Sequence, residues 1–205
     1  MLYLRMIMLL AFAVLISVTV SCTKAPSPKE KAITNVNAGT GVLQAAREVI
    51  DALKAKDGKR LLRLVHPEQG VRFSPYAYVD VEHDQVFKRN EIKVFWEDRK
   101  IYFWGLADGT GDPINLTPSQ YYDRFIMDQD FSRPSSISVN NDRAMGNTSN
   151  NAASVYPQGS RVEYYVTPTP GQGVPELDWA ALRLVFERSS GSWYLIALIH
   201  DEWTT

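Results

Sequence analysis

The chain has 205 residues, of which 45% are hydrophobic and 11% aromatic, so it can bury a substantial core and is not expected to be disordered. Its formal net charge is −1 at pH 7, which excludes the strongly basic balance of a typical nucleic-acid-binding protein. We therefore expect one globular domain with short appendages, and no nucleic-acid partner.

The N-terminus has the features of a secretory signal. Arg5 precedes an uninterrupted run of apolar and small residues, Met6–Val20. This run is too short to cross ~30 Å of hydrocarbon comfortably as a helix, but it is typical of a signal-peptide core. It ends in Thr-Val-Ser-Cys at residues 19–22, which resembles the lipobox of bacterial lipoproteins. By that resemblance, residues 1–21 are a cleaved signal peptide and Cys22 carries a diacylglycerol.

Cys22 is the only cysteine, so it cannot form an internal disulfide. The lipoprotein interpretation places the protein in the cell envelope, outside the cytoplasm, and makes the lipid bilayer its partner through acylated Cys22. An ordinary signal peptide with an incidental cysteine and an uncleaved anchor are the alternatives. Residues 22–40 contain two prolines and few large apolar side chains, which predicts a flexible tether before a domain at residues 41–205.

Besides a short helix that is capped by Asn90 and carries Ile92, Phe95 and Trp96, three helices are predicted. Val42–Lys56 places its apolar residues on one stripe, and Asp57-Gly58 is expected to end it, with Gly58 in a left-handed conformation. A second helix, around residues 61–64, is stopped by Pro67. The third begins at Thr117, which is followed by proline at the first helical position and glutamine at the third, and runs to about Met127.

The strands are short until the end of the chain. Brief strands are predicted at residues 86–87, 101–104, 137–139 and 162–166. In the last stretch, Leu182, Leu184 and Phe186 share one face of an extended segment. Trp193–Ile199 is apolar on both faces, as in a covered central strand. A Ser-Ser-Gly-Ser connection joins the two segments and predicts a β-hairpin.

Helices followed by antiparallel strands indicate an α+β fold. The order resembles the NTF2-like (cystatin-like, SnoaL-like) superfamily, in which a curved antiparallel sheet wraps around N-terminal helices to form a cone. Several stretches resemble a group of uncharacterised bacterial lipoproteins: residues 66–67 with 70–76, 104–105 with 108–111, 184–186 with 193–194, and 200–204. The resemblance covers about residues 42–205 and implies a fold and a location but no activity. The wider superfamily includes isomerases, dehydratases and non-catalytic binding domains.

His200 is the first candidate for chemistry, because a histidine beside a carboxylate at a strand end can act as a general base. Asp201 follows it directly, but neighbouring residues of a strand point to opposite faces, so Asp201 is not expected to orient His200. The alternative is that His200 and Trp203 are packed and hydrogen-bonded at the end of the sheet.

Arg72, Tyr76 and Tyr78 form a second candidate cluster. Their alternate spacing places them partly on one strand face if the strand continues past Pro75. A guanidinium beside two phenols can bind a carboxylate or a sugar. In the alternative, Arg72 pairs with an acid at the edge of the core and the tyrosines cover a helix.

No metal site or cofactor is predicted. His66, His83 and His200 do not have the spacing of a zinc motif, and the loop at residues 108–112 lacks the ligand order of an EF-hand. Trp104 and Trp203 are candidates for stacking on a sugar, with packing in the core as the alternative.

The sequence thus favours a membrane-anchored, non-enzymatic domain that binds a small molecule, a glycan such as a cell-wall fragment, or an envelope protein, as a monomer or homodimer. A hydratase- or isomerase-like enzyme is the alternative, with His200 and either Tyr76 or Tyr78 transferring protons in the cone cavity. The sequence does not distinguish a purely structural role in envelope assembly from the non-enzymatic binding domain.

Overall fold

The computed structural model describes residues 28–141, 149–168, 173–174 and 177–204, and for residues 28–40 the backbone alone. The predicted signal peptide and Cys22, the predicted lipidation site, lie outside the described residues. Within the part of the chain that is described, no helix combines the length and the apolar character needed to cross a membrane.

Two helices begin the described chain: α1, Pro28–Lys54, and α2, Gly58–Leu64. The stripe predicted for α1 is buried and comprises Val42, Ala46, Val49, Ile50 and Leu53. The helix starts at Pro28 rather than Val42, so residues 28–40 are helical although their sequence predicts a tether. Extending an established helix costs little compared with starting one, and proline is accommodated in a first turn.

The junction between α1 and α2 differs from the prediction. Lys56, not Gly58, takes the left-handed conformation, with φ of 50°. Gly58 is the first residue of α2, where a Cβ would lie 2.5 Å from the carbonyl oxygen of Lys93. The glycine is therefore required for close packing against the backbone at Lys93, rather than for ending α1.

Among the described residues after α2 there are eight strands, three short helices and a π-helix at Tyr122–Ile126. The strands are β1 Val71–Ser74, β2 Gln85–Phe87, β3 Tyr102–Leu106, β4 Pro113–Leu116, β5 Ser136–Val139, β6 Ser160–Val166, β7 Ala180–Ser189 and β8 Ser192–Glu202. The short helices are α3 Arg89–Ile92, α4 Pro118–Tyr121 and α5 Ala152–Val155. Six strands form one sheet in the order β2-β1-β8-β7-β6-β5, and β3 pairs with β4 separately. Only the pairing of β1 with β8 is parallel among the described strand pairs.

The predicted terminal hairpin is confirmed as β7 and β8. Ser189 pairs with Ser192, and the two residues between them, Ser190 and Gly191, have φ of 49° and 83°. Two successive positive φ values are those of a type I′ turn, whose twist matches that of the flanking strands. This hairpin forms the centre of the sheet.

Both faces of the central strands are covered. On one face, α1, α2 and the π-helix contact β8, and the main core lies between these helices and the sheet. A smaller apolar cluster covers the other face and comprises Val79, Ala152, Val185, Ile196, Ala197 and Ile199. The predicted α+β fold, with helices packed against a mostly antiparallel sheet, is confirmed.

The main core is dense in aromatic rings beside β1. Phe73 packs against four rings at centroid distances of 5.2 to 6.0 Å, namely Phe87, Phe95, Trp104 and Tyr121. Trp104 stacks on Tyr121 at 3.8 Å, and burial raises the pKa of Tyr121 well above its ordinary value. Side chains, rather than an internal cavity, therefore occupy this part of the space between helices and sheet.

Candidate functional site

A cleft of about 510 Å³ lies between the segment that follows β1 and the end of β3. Aromatic rings and carboxylates line it, namely Tyr76, Tyr78, Trp104, Asp80, Asp84 and Asp108. None of the described lining residues is a lysine or an arginine. The cleft therefore offers hydrogen-bond acceptors and ring faces, and it carries negative charge.

Asp84 is the most perturbed carboxyl in the cleft. Its Oδ2 atom accepts a hydrogen bond from Ser74 Oγ at 2.5 Å and one from the backbone N–H of Asp80 at 3.1 Å. Burial nevertheless raises the pKa of Asp84 to about 6, against the lowering effects of Ser74 and of the Arg72 charge. Such a carboxyl exchanges a proton near neutral pH, as acid–base chemistry requires. Sequence reasoning did not single out this residue.

Asp80 and His83 form an exposed pair at the edge of the cleft. Oδ2 of Asp80 lies 2.8 Å from Nδ1 of His83, and Oδ1 accepts backbone N–H groups of Glu82 and His83 at 3.0 and 3.2 Å. The hydrogen bond to His83 lowers the pKa of Asp80, and the same bond raises the pKa of His83. The pair orients one carboxylate toward the solvent end of the cleft.

Asp108 is fixed on the opposite side. Thr204 Oγ1 donates to its Oδ2 at 2.5 Å, and the Tyr76 hydroxyl accepts its backbone N–H at 3.1 Å. The glycine loop that begins here closes with a hydrogen bond from Ala107 N to the Asp112 carbonyl at 2.7 Å. Residues 108–112 therefore form a turn that joins β3 to β4, as glycine and aspartate commonly do.

Three of the predicted site residues meet in the cleft. Tyr78 is 57% exposed and lies at its mouth, whereas Trp104 is fully buried at its base. Tyr76 is half-buried, and its ring centroid lies 5.9 Å from that of Phe125. The tyrosine and tryptophan candidates thus belong to one concave surface, although the sequence predicted them as separate groups.

Arg72 is not among the lining residues. Strand β1 ends at Ser74, so the alternation that was expected to bring Arg72 and Tyr76 onto one face does not continue past Pro75. Instead, Nη1 of Arg72 donates to the backbone carbonyls of Asp80, Val81 and Asp84 at 3.2 to 3.3 Å. Arg72 holds the loop that carries the carboxylates, and its guanidinium does not present itself to a ligand in the cleft.

His200 and Trp203 also lie outside the cleft lining. His200 is 1% exposed, and its Nδ1 is 3.1 Å from the carbonyl oxygen of Pro75. Because a carbonyl only accepts, Nδ1 carries the proton. The other ring nitrogen, Nε2, lies 3.4 Å from Oδ2 of Asp128. Asp201 points instead toward Arg183, 3.8 Å away, so the expectation that it does not orient His200 is confirmed.

Asp128, His200 and Glu202 form a cluster of three potential ligands at the end of β8. One ligand atom from each lies within 4.8 Å of the others. Glu202 also binds Arg124, with Nη2 to Oε1 at 2.6 Å and Nη1 to Oε2 at 3.3 Å. No sequence pattern indicates this cluster, because Asp128 and His200 lie far apart in the chain.

No family model matches the sequence, and no curated protein matches it. Among solved structures, it is similar to a designed NTF2 protein at 11% identity, covering 81% of this chain and 98% of that chain, with a TM-score of 0.35. It is also similar to a DUF4783 family protein from Bacteroides ovatus at 8% identity, covering 77% of this chain and 94% of the other, with a TM-score of 0.33. A third structure is described as a calcium/calmodulin dependent protein kinase II association domain from Xanthomonas campestris. Its identity is 12%, the coverage is 87% and 93%, and the TM-score is 0.29.

The first of these structures carries NTF2 in its name. In the described residues of this chain, N-terminal helices pack against a six-stranded, mostly antiparallel sheet, so the chain is an α+β protein. Membership of the NTF2-like superfamily stays a prediction from the sequence.

Proposed function

We propose that this domain, which the sequence predicts to be NTF2-like, is the extracytoplasmic part of a membrane-anchored lipoprotein, and that its cleft binds a small ligand rich in hydrogen-bond donors without transforming it. The anchoring part of the proposal rests on the lipobox-like residues 19–22 and on Cys22 as the only cysteine. The binding part rests on the chemistry of the cleft.

The observation that carries the binding proposal is the combination of carboxylates and rings in the cleft. Ionised carboxylates only accept hydrogen bonds, so Asp80, Asp84 and Asp108 favour a ligand with hydroxyl or amino groups and disfavour an anion. Tyr78 offers a ring face at the mouth, as sugar-binding surfaces do. A neutral glycan fragment fits both features. A carboxylate ligand, which the sequence suggested because of Arg72, fits neither.

The carboxylates are also held in place before any ligand arrives. Asp84 is tied to Ser74, and Asp108 is tied to Thr204. Groups that are already oriented lose little freedom when a ligand binds. A rigid acceptor set of this kind supports selective binding of a small molecule.

An enzyme that uses His200 is less well supported. Its ring is buried, Nδ1 is occupied by the Pro75 carbonyl, and the residue is not part of the cleft lining. If the cleft transfers protons, Asp84 is the better candidate, because burial raises its pKa to about 6. The alternative hydratase- or isomerase-like activity therefore depends on Asp84 and a tyrosine such as Tyr76.

The binding proposal is tested with the full chain in mild detergent. Isothermal titration is carried out with N-acetylglucosamine oligosaccharides, with spermidine and with a dicarboxylate. We expect the oligosaccharide to bind and the dicarboxylate not to bind. Binding of spermidine alone would show that the cleft selects cations and would refute the glycan assignment.

A matched pair of variants locates the binding. Tyr78→Ala removes the ring at the mouth and should weaken binding about tenfold. Phe103→Ala removes another exposed ring, that of Phe103 in β3, which is 41% exposed and does not line the cleft, and should leave the affinity unchanged. Equal losses in both variants, or no binding by the wild type, would contradict the proposal.

Anchoring is tested separately by metabolic labelling with a radioactive fatty acid in a bacterial host. We expect label on the wild-type chain and none on Cys22→Ser, which should also leave the membrane fraction. A wild-type chain without label would overturn the lipoprotein assignment and leave the cleft proposal standing.

A further inference from the structure

We propose that Asp128, His200 and Glu202 form a binding site for one divalent transition-metal ion, with Zn²⁺ as the best fit. This site is distinct from the cleft and involves residues that the proposed ligand binding does not use. Three observations carry the inference: the spacing of the ligand atoms, the orientation of His200, and the unsatisfied polar atoms around it.

The spacing of the ligand atoms is that of groups sharing an ion. Zinc lies about 2.1 Å from imidazole nitrogen and carboxylate oxygen, so two ligands of one tetrahedral ion are about 3.4 Å apart. Nε2 of His200 and Oδ2 of Asp128 are separated by 3.4 Å. The ligand atom of Glu202 lies within 4.8 Å of both, which a small side-chain movement closes.

The orientation of His200 is that of a metal ligand. Its Nδ1–H donates to the Pro75 carbonyl, which fixes the tautomer and directs the lone pair of Nε2 toward Asp128. Metal-binding histidines are commonly held in this way, through a hydrogen bond from the ring nitrogen that does not bind the ion. The ring is also wedged edge-on against Phe125 at 5.6 Å, which limits its rotation.

Two buried polar atoms at the site lack hydrogen bonds among the described residues: Nε2 of His200 and Oδ1 of Asp128. His200 is 1% exposed, so water does not readily satisfy its nitrogen. Buried polar groups are nearly always paired, and each exception requires an explanation. A bound cation would be such a partner, because it takes one lone pair from the imidazole and one or two from the carboxylate.

Charge and access are compatible with an ion. Two carboxylates and Arg124 give the cluster a charge of about −1 when His200 is neutral, so a dication is attracted. Arg124 donates to both oxygens of Glu202, at 2.6 Å to Oε1 and 3.3 Å to Oε2. Giving up the longer bond would free Oε2 for the ion while Arg124 keeps Oε1, as outer-sphere partners of metal ligands do. The side chains of Asp128 and Glu202 are 15% and 21% exposed, which leaves a route for the ion and room for water as a further ligand.

One imidazole and two carboxylates favour Zn²⁺ over Mg²⁺ and Ca²⁺, which prefer all-oxygen sites. The simpler explanation of the same atoms is an ion pair between protonated His200 and Asp128. That explanation leaves Oδ1 of Asp128 unpaired and gives Glu202 no role beyond Arg124. The two explanations differ in whether the protein binds zinc.

The test uses the untagged full chain in mild detergent, freed of metal with a chelator, and with any Cys22 thiol blocked by alkylation. Titration calorimetry with Zn²⁺ should give one ion per chain, and the melting temperature should rise with zinc concentration. Asp128→Asn should weaken binding about tenfold or more while leaving the fold intact in chelator. Glu202→Gln, at a second ligand, should also weaken it.

Asp123→Asn is the matched control. It removes one carboxylate from the same segment, five residues before Asp128, but that carboxylate is exposed and pairs with Lys56. We expect its zinc affinity to equal that of the wild type. If the wild type does not bind zinc, the proposal is refuted and the cluster is an ion pair between His200 and Asp128. Equal losses in Asp123→Asn and Asp128→Asn, or Mg²⁺ binding as tight as Zn²⁺ binding, would also overturn the proposed site.

Discussion

Asp84 gives the sharpest prediction for the stability of the fold. Burial raises its pKa from the ordinary value of 3.8 to about 6 in the folded chain. The folded state therefore holds the carboxyl proton more tightly than the unfolded state does, and ionisation of Asp84 destabilises the fold. Protonated Asp84 makes its full contribution to the free energy of unfolding below about pH 4, and this contribution is lost as the pH rises through 6.

The magnitude follows from the difference between the two pKa values. A difference of about 2 units corresponds to at most about 3 kcal/mol, accumulating at about 1.4 kcal/mol per pH unit between pH 4 and 6. Asp84→Asn removes the charge, and the asparagine oxygen can still accept from Ser74 and from the backbone of Asp80. We expect the variant to match the wild type near pH 4 and to be more stable by up to about 3 kcal/mol near pH 7.

Urea unfolding followed by tryptophan fluorescence at several pH values between 4 and 7 measures this difference. Asp80→Asn should change stability with pH in the opposite direction, because the hydrogen bond to His83 lowers the pKa of Asp80. Its ionised form stabilises the fold, so this variant should be less stable near neutral pH, and the deficit should shrink as the pH falls below about 4. A stability difference for Asp84→Asn that does not change with pH would refute the reasoning about its burial.

Three further variants test how the fold is held together, each by the free energy of unfolding in urea. Glu163→Gln should cost about 3 kcal/mol, because it leaves the guanidinium of Arg183, 1% exposed and 2.7 Å from Glu163, without its closest anion; a loss below about 1 kcal/mol would show that the pair is solvated. Gly70→Ala should cost more than about 2 kcal/mol, since φ is 79° and a Cβ would lie 2.4 Å from the Phe87 carbonyl oxygen; an unchanged unfolding midpoint would contradict this packing. Thr117→Ala should cost about 1 kcal/mol, because the side chain caps α4, and an equal stability of Thr117→Ser would show that the cap, not the methyl group, is responsible.

The elements that could be predicted from the sequence are those with a local cause. The terminal hairpin follows from two apolar runs joined by a Ser-Gly turn, and both its position and its turn are as expected. The capping box at Thr117 is also local, and its hydrogen bonds to Gln120 form as predicted. Past Tyr121 the helix widens to a π-helix, which no short pattern in the sequence indicates.

The candidate site could be predicted only in part. Tyr76 and Tyr78 are predicted as site residues from their spacing with Arg72, and Trp104 as a ring that can stack on a sugar; all three line the cleft. Arg72 stood out equally as a cation, but its charge is directed at three backbone carbonyls of the loop after β1. The sequence alone does not distinguish an arginine that binds a ligand from one that donates hydrogen bonds to the backbone of a loop. The choice depends on where the chain turns after Ser74.

The position of His200 shows why the remaining site residues could not be predicted from the sequence. Strand β1 pairs in parallel with β8, and the register places Ser74 beside Ile199. The next residue, Pro75, therefore lies beside His200, and its carbonyl, which has no place in the ladder once the strand has ended, accepts the Nδ1–H. That single hydrogen bond closes His200 to the cleft and turns Nε2 toward Asp128 on the π-helix side. Parallel pairing of segments 125 residues apart leaves no local trace in the sequence. His200, which the sequence offers as a base only under the enzyme alternative, therefore becomes a candidate metal ligand outside the cleft.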